Sequence, residues 1–243
     1  MKRRRFDTYI IDKDSDEDGK ALTLFRGETL PKIAYVILNG ELEGNMDIYH
    51  YALRHIKGDI YCADGGTSLA RTLEVTPLEV WGDFDSSSIK DVPEGVKIVR
   101  FEAEKDATDG ELIIDYLSPR YDYVVAIGGT GGRHDHELSN LTLCFRYPNL
   151  VFMSGSSYIF NARTLEKIAC QPEQTISFIP FSDVVTNITL TGFKYEVKNY
   201  DLSLGSSRCQ SNIAITETPS ITYDSGNLLC ILEAPTLSIL QIL

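Results

Sequence analysis

A chain of 243 residues with a net charge of −12 is long enough for one large domain or two modest ones around a sizeable core. Its 43% hydrophobic and 24% charged content excludes wholesale disorder. No apolar run approaches the roughly 20 residues that cross a bilayer, and no long basic stretch exists to neutralise nucleic-acid phosphates. Membrane and nucleic acid are thereby excluded as partners, whereas a small anionic substrate held through a divalent cation is not.

The opening MKRRR is followed by acids where a signal peptide needs its apolar core, so export is not expected. Five cysteines, at 62, 144, 170, 209 and 230, form no CxxC pair and read as reduced core thiols of a cytoplasmic protein. Within 1–30, Tyr9–Ile11 and Leu22–Phe25 suit an extra hairpin. DSDEDG at 14–19 imitates the start of a calcium loop, but Phe25 stands where the loop's closing glutamate belongs, so a solvated acidic turn is the better reading.

From residue 33 the chain alternates. IAYVIL (33–38), DIYCAD (59–64), LEVWGDF (78–84), KIVRF (97–101), YVVAIG (123–128) and LVFMSG (150–155) read as strands. MDIYHYALRHI (46–56), GTSLARTL (66–73), ATDGELIIDYL (107–117) and HDHELSNLTLCFR (134–146) carry helical spacing. Such alternation predicts a three-layer α/β domain over 1–155 with a mostly parallel sheet. Beyond it, TISFIPFS (175–182), NITLTGFKYEV (187–197), SNIAITET (211–218), NLLCILE (227–233) and LSILQIL (237–243) predict an all-β sandwich over 165–243.

Four clusters carry the chemistry. ADGG (63–66) puts Asp64 at a strand end and lets Gly65 and Gly66 bring backbone N–H groups to a phosphate. In GDFDS (82–86), an extended backbone would aim Asp83 and Asp85 to one side and Phe84 to the core. Two carboxylates so placed repel unless a cation lies between them, and magnesium held by one or two carboxylates plus phosphates suits them. In KDATDGE (105–111), Asp106 or Thr108 can cap the next helix, and a helical 106–109 would align Asp106 with Asp109. Lys105 adds a charge suited to phosphate. GGTGGRHDHELSN (128–140) has four glycines in five residues, lacks the Gly-Lys-Ser/Thr of a Walker loop, and offers Arg133, Asp135 and His136 at a helix start. A phosphatase reading of the Asp-x-Asp pair is disfavoured, because that motif belongs on the first core strand and here follows the third.

In this order the clusters resemble the thiamin pyrophosphokinase family, and the likeness continues through SFIPFS, ITLTGFKYEV, QSN (210–212) and GNLLCILE. The resemblance implies an α/β domain followed by a β-sandwich, in a homodimer with active sites at the interface. It implies that the terminal pyrophosphoryl group of ATP moves to the hydroxyethyl oxygen of thiamin, with Mg²⁺, giving thiamin diphosphate and AMP. Asp64, Asp83, Asp85 and Asp109 would hold the metal, with Asp83, Asp85 and Asp109 catalytic. Gly65, Asp106 and Thr108 would position phosphates; Arg133, Asp135 and His136 would contact ATP. Ser211 and Asn212 would meet the thiamin aminopyrimidine. One departure stands out: RCQSNIA lacks the glycine turn that usually precedes the Ser-Asn pair and the acid that often follows it. The non-enzymatic alternative is a thiamin- or nucleotide-binding regulator without turnover.

Overall fold

The structure is a computed structural model that describes residues 31–84, 92–102, 104, 106–164 and 167–233. The expected N-terminal hairpin, the acidic turn at 14–19, Asp85, Lys105 and the run 237–243 lie outside the described residues.

From Lys32 onward the described chain forms one unit. Its strands and helices run in the order β1 (Ile33–Ile37), α1 (Met46–His55), β2 (Asp59–Ala63), α2 (Thr67–Thr72), β3 (Glu79–Gly82), β4 (Lys97–Arg100), α3 (Asp109–Leu117), β5 (Tyr123–Ile127), α4 (His134–Arg146) and β6 (Leu150–Met153). There follow β7 (Ser157–Asn161), β8 (Thr175–Pro180), β9 (Val184–Thr191), β10 (Val197–Ser203), β11 (Asn212–Ile213), β12 (Ser220–Thr222) and β13 (Leu228–Glu233). One ten-stranded sheet has the order β11-β8-β13-β7-β6-β5-β1-β2-β3-β4, and a three-stranded sheet has the order β10-β9-β12.

The stretch from β6 to β4 pairs in parallel, as βαβ crossovers require. Its central strands are buried on both faces, which is why IAYVI and YVVAI are continuous apolar runs. The remaining strands pair antiparallel and show the period of two that a two-faced sheet imposes. Along β13, Leu228, Cys230 and Leu232 join the core beneath the small sheet, whereas Leu229 and Ile231 face the other side. Ile176 and Phe178 of β8 meet Val185, Ile188 and Leu190 of β9 in that core, giving the sandwich expected of the second half. Each fully buried aliphatic or aromatic chain there contributes roughly 1.5–3 kcal/mol.

Several expectations shift. The run SYIFN, read as part of a connection, is β7, and it joins β6 to β13 so that the main sheet continues into the C-terminal half. NITLTGFKYEV is not one strand: β9 ends at Thr191, Gly192 turns the chain at φ +83°, and β10 starts at Val197. SNIAITET contributes only the two residues of β11 to a strand. All five cysteines are free and buried. Burial pushes the Cys62 and Cys144 thiols up to about 12 and Cys170 up to about 11, so they stay protonated and inert at neutral pH. Among the described residues no helix is long and apolar enough to cross a membrane.

Candidate active site at the sheet's switch point

Strands β1 to β4 are laid down in one direction from the centre, and β5 then returns to the other side of β1. In open α/β sheets the crevice beyond the carboxyl ends at such a reversal is where ligands bind. A cleft of about 860 Å³ opens there, lined by residues following β1, β2, β3 and β5 and by the starts of α3 and α4.

Asp64 follows β2 directly and opens a single 3₁₀ turn with Gly65 and Gly66. Both glycines sit at close approaches, Gly66 against fixed backbone. A Cβ on Gly66 would lie 2.1 Å from the Ile37 carbonyl oxygen, and one on Gly65 would lie 2.2 Å from the Asn39 carboxamide carbon. Gly82, ending β3, packs so tightly that its Cβ would sit 2.4 Å from that of Asp64. The ends of β2 and β3 therefore touch, which brings Asp83 beside Asp64 in the cleft wall.

The backbone after β3 is not extended as expected. Phe84 is left-handed, φ +51°, so alternation along a strand does not govern the direction of its neighbours. Phe84 still enters the core, and Arg100 lies over its ring at 5.7 Å.

Thr108 is the residue that caps α3: its Oγ1 accepts a hydrogen bond from the Glu111 amide at 3.1 Å. The helix begins at Asp109, so Asp106 precedes it and the helical alignment of Asp106 with Asp109 does not form. Both acids nevertheless line the cleft, Asp109 at the positive end of α3.

The glycine-rich loop after β5 forms the opposite wall. Gly128, Gly131 and Gly132 are left-handed, at φ +69°, +76° and +74°. The loop following β1 clamps it: the Gly40 amide donates to the Gly128 carbonyl at 2.7 Å, and the Glu41 amide to the Thr130 carbonyl at 3.0 Å. Thr130 Oγ1 donates to Glu43 Oε2 at 2.9 Å, and the Gly131 amide to Glu137 Oε2 at 3.3 Å.

At the start of α4 Arg133 grips Asp135 in a two-point pair, Nε to Oδ1 at 3.1 Å and Nη2 to Oδ2 at 2.6 Å. Hydrogen bonding from Arg133 holds the Asp135 carboxyl down at about 2, so it is ionised at any ordinary pH. Asp135 does not line the cleft; it orients Arg133, which does. His136 does line it and is exposed.

The cleft thus unites Asp64, Gly65, Asp83, Asp106, Thr108, Asp109, Arg133 and His136. Among its described lining residues none lies beyond Asn140, so Ser211 and Asn212 are not part of it. Asn39, Gly40, Glu137, Ser139 and Asn140 line it without having been expected. The Asn-Gly pair directly after a strand, and the i,i+4 spacing of His136 and Asn140 on one helix face, were the available signals. Among the described residues no three His, Cys, Asp or Glu side chains are gathered closely enough to hold a metal by themselves.

Carboxylates at touching strand ends, facing a clamped glycine loop and an oriented arginine, define an α/β enzyme that handles a polyphosphate. Comparison with known proteins gives the particular family. Residues 54–152 match the family model for the thiamin pyrophosphokinase catalytic domain, and residues 164–228 that for the thiamin pyrophosphokinase vitamin B1 binding domain. The thiamine pyrophosphokinase of Bacillus subtilis (strain 168) is 32% identical over 179 residues, covering 69% of this chain and 84% of that protein. Thiamine pyrophosphokinase 1 of Oryza sativa subsp. japonica is 27% identical over 197 residues, covering 68% and 75%. The crystal structure of the Geobacillus thermodenitrificans thiamin pyrophosphokinase superposes with a TM-score of 0.72 at 26% identity, over 85% of this chain and all of that one. The chain belongs to the thiamin pyrophosphokinase family.

Proposed function

We propose that the switch-point cleft is where this chain moves the terminal pyrophosphoryl group of ATP to thiamin, with the roles divided as follows. The enzyme is an ATP-dependent diphosphotransferase of the thiamin pyrophosphokinase type. The thiamin hydroxyethyl oxygen attacks the β-phosphorus, the bond from that phosphorus to the α,β-bridging oxygen breaks, and AMP leaves with that oxygen. The hydroxyl proton passes to a carboxylate, for which Asp109 is the assignment. Thiamin diphosphate and AMP are the products.

Phosphates lie against the backbone of the 128–132 loop and the Gly65–Gly66 turn, with Asp106 and Thr108 flanking them. Arg133, held in aim by Asp135, and His136 meet the same chain of phosphates. Chemistry of this kind depends on positioning and on neutralising charge spread over the oxygens. A pocket with Asp64, Asp83 and Asp109 in its wall repels a polyphosphate unless a cation intervenes, and the donors offered are all hard oxygens. Magnesium fits that set, since it binds through one or two carboxylates plus substrate phosphates and needs no complete protein cage. Asp64, Asp83, Asp85 and Asp109 would hold it, and when bound it would supply charge neutralisation at the transferred group.

The division of labour follows the two halves, ATP with residues 1–155 and thiamin with 165–243. Because the cleft's described lining ends at Asn140, the exposed Ser211, with Asn212 buried behind it, would meet an ATP cleft across a homodimer interface. Five free buried thiols suit a reducing, cytoplasmic compartment.

The contact of Asp64 with Gly82, which sets Asp83 beside it, is the observation that carries this reading. Asp83→Asn is expected to lose at least about a hundredfold in turnover and to need more Mg²⁺ for half-maximal rate. Near wild-type turnover with an unchanged Mg²⁺ requirement would refute the metal assignment.

A further inference from the structure

The three carbonyls at the start of the glycine loop each point to a fixed donor. Gly128 is met by the Gly40 amide and Thr130 by the Glu41 amide, both main-chain groups that every residue but proline supplies. Gly129 between them is met by a side chain: Asn140 Nδ2 donates to its carbonyl at 3.0 Å from the second turn of α4. We propose that Asn140 is a positioning residue for ATP, holding the Gly129–Thr130 peptide in the one orientation that leaves the loop attractive to phosphate. This rests on the reading above that the loop carries the phosphates.

The loop has little stiffness of its own, with Gly128, Gly129, Gly131 and Gly132 placing almost no limit on peptide rotation. In a trans peptide the carbonyl and the following N–H point in opposite directions, so fixing the Gly129 oxygen also fixes the Thr130 N–H. Gly129 and Asn140 both line the cleft. A Gly129 carbonyl released from Asn140 would turn its negative end towards phosphate oxygens, whereas the bound carboxamide covers it. Gly129 cannot be stiffened by a side chain instead: a Cβ there would lie 2.3 Å from the Phe152 ring. The clamp therefore has to come from outside the loop.

Steady-state kinetics on Asn140→Ala, Asn140→Asp and Asn140→Gln, with Arg133→Ala alongside, tests this. Losing one such hydrogen bond should raise the KM for ATP about tenfold in Asn140→Ala. Asn140→Asp, which keeps the shape but sets a carboxylate against the carbonyl and the phosphates, should be worse. A space-filling role predicts the reverse order. The KM for thiamin should stay within about twofold in both, and Asn140→Gln, which keeps the donor, should recover part of the loss. Melting temperatures without nucleotide identify any variant that is unfolded at assay temperature; if Asn140→Ala is one, Asn140→Asp is compared with Asn140→Gln, and an ATP KM for Asp no higher than for Gln overturns the inference. A wild-type ATP KM in folded Asn140→Ala, an Asp variant milder than Ala, or an Asn140→Gln as impaired as Ala would overturn the inference. If Arg133→Ala too left the ATP KM unchanged, the placement of phosphates on this loop would fail instead.

Discussion

Asn212 shows how a recognisable residue can carry a different task from the expected one. Its carboxamide is buried and makes three hydrogen bonds: Oδ1 accepts from the amides of Tyr195 at 3.0 Å and Ile213 at 2.9 Å, and Nδ2 donates to the Tyr195 carbonyl at 2.9 Å. The turn before it lacks glycine, yet Cys209 and Ser211 are left-handed, at φ +72° and +48°, each at a cost of about 1–3 kcal/mol. The Cys209 carbonyl accepts from the Phe178 amide, and the Ser211 amide donates to Ser177 Oγ, so β8 and Asn212 together hold the strained turn in place. Ser211 is thereby left exposed, with Asn212 buried beside it. Asn212→Ala should lower unfolding free energy by about 3 kcal/mol in urea titration. Unchanged stability with a raised KM for thiamin would instead mark Asn212 as a direct substrate contact. The Ser-Asn pair was legible in the sequence, but its partner Tyr195 lies 17 residues away and was not.

At the scale of elements, the helices around the site were read well because their start signals are local. The HDHELSNLTLCFR stretch is α4 over its whole length, and KDATDGE does contain a cap. Which of two candidate caps acts was open, since Asp106 and Thr108 both qualify by residue type. The observed cap places Asp109 in the first turn of α3 and leaves Asp106 on the approach to it. Thr108→Ala should cost about 1 kcal/mol of stability, and by loosening both acids it should lower kcat as well. Thr108→Ser should restore both, and equal loss in the Ser and Ala variants would contradict the capping account. Phe84 marks where local reading failed, because a left-handed residue after a strand is set by core packing that periodicity does not encode. β7 and β12 were missed for a related reason: SYIFN sits where a connection was expected, and β12 has only three residues.

In the whole molecule the two ends of the parallel sheet serve different purposes. At the amino ends, Tyr121 donates to Asp59 at 2.6 Å and shares a 2.7 Å hydrogen bond with Tyr61, and burial, with Asp59 beside it, keeps the Tyr121 phenol protonated. Asn149 donates to the Ser118 and Tyr121 carbonyls close by, so this end is locked by satisfied polar groups. The carboxyl ends carry the glycines, acids and loops of the cleft. Alternation of strands and helices made this arrangement legible, and the ligand rule for open sheets then located the site. Strand neighbours were not legible: nothing local in SYIFN says that β7 pairs with β13, 67 or more residues further on. Matches to both the catalytic and the vitamin B1 binding family models argue for turnover rather than for a regulator that merely binds. The most direct test is AMP release from ATP and Mg²⁺ by the full chain, with and without thiamin. The account predicts AMP formed one-for-one with thiamin diphosphate and negligible AMP when thiamin is omitted. Thiamin binding by calorimetry with no AMP produced would contradict it.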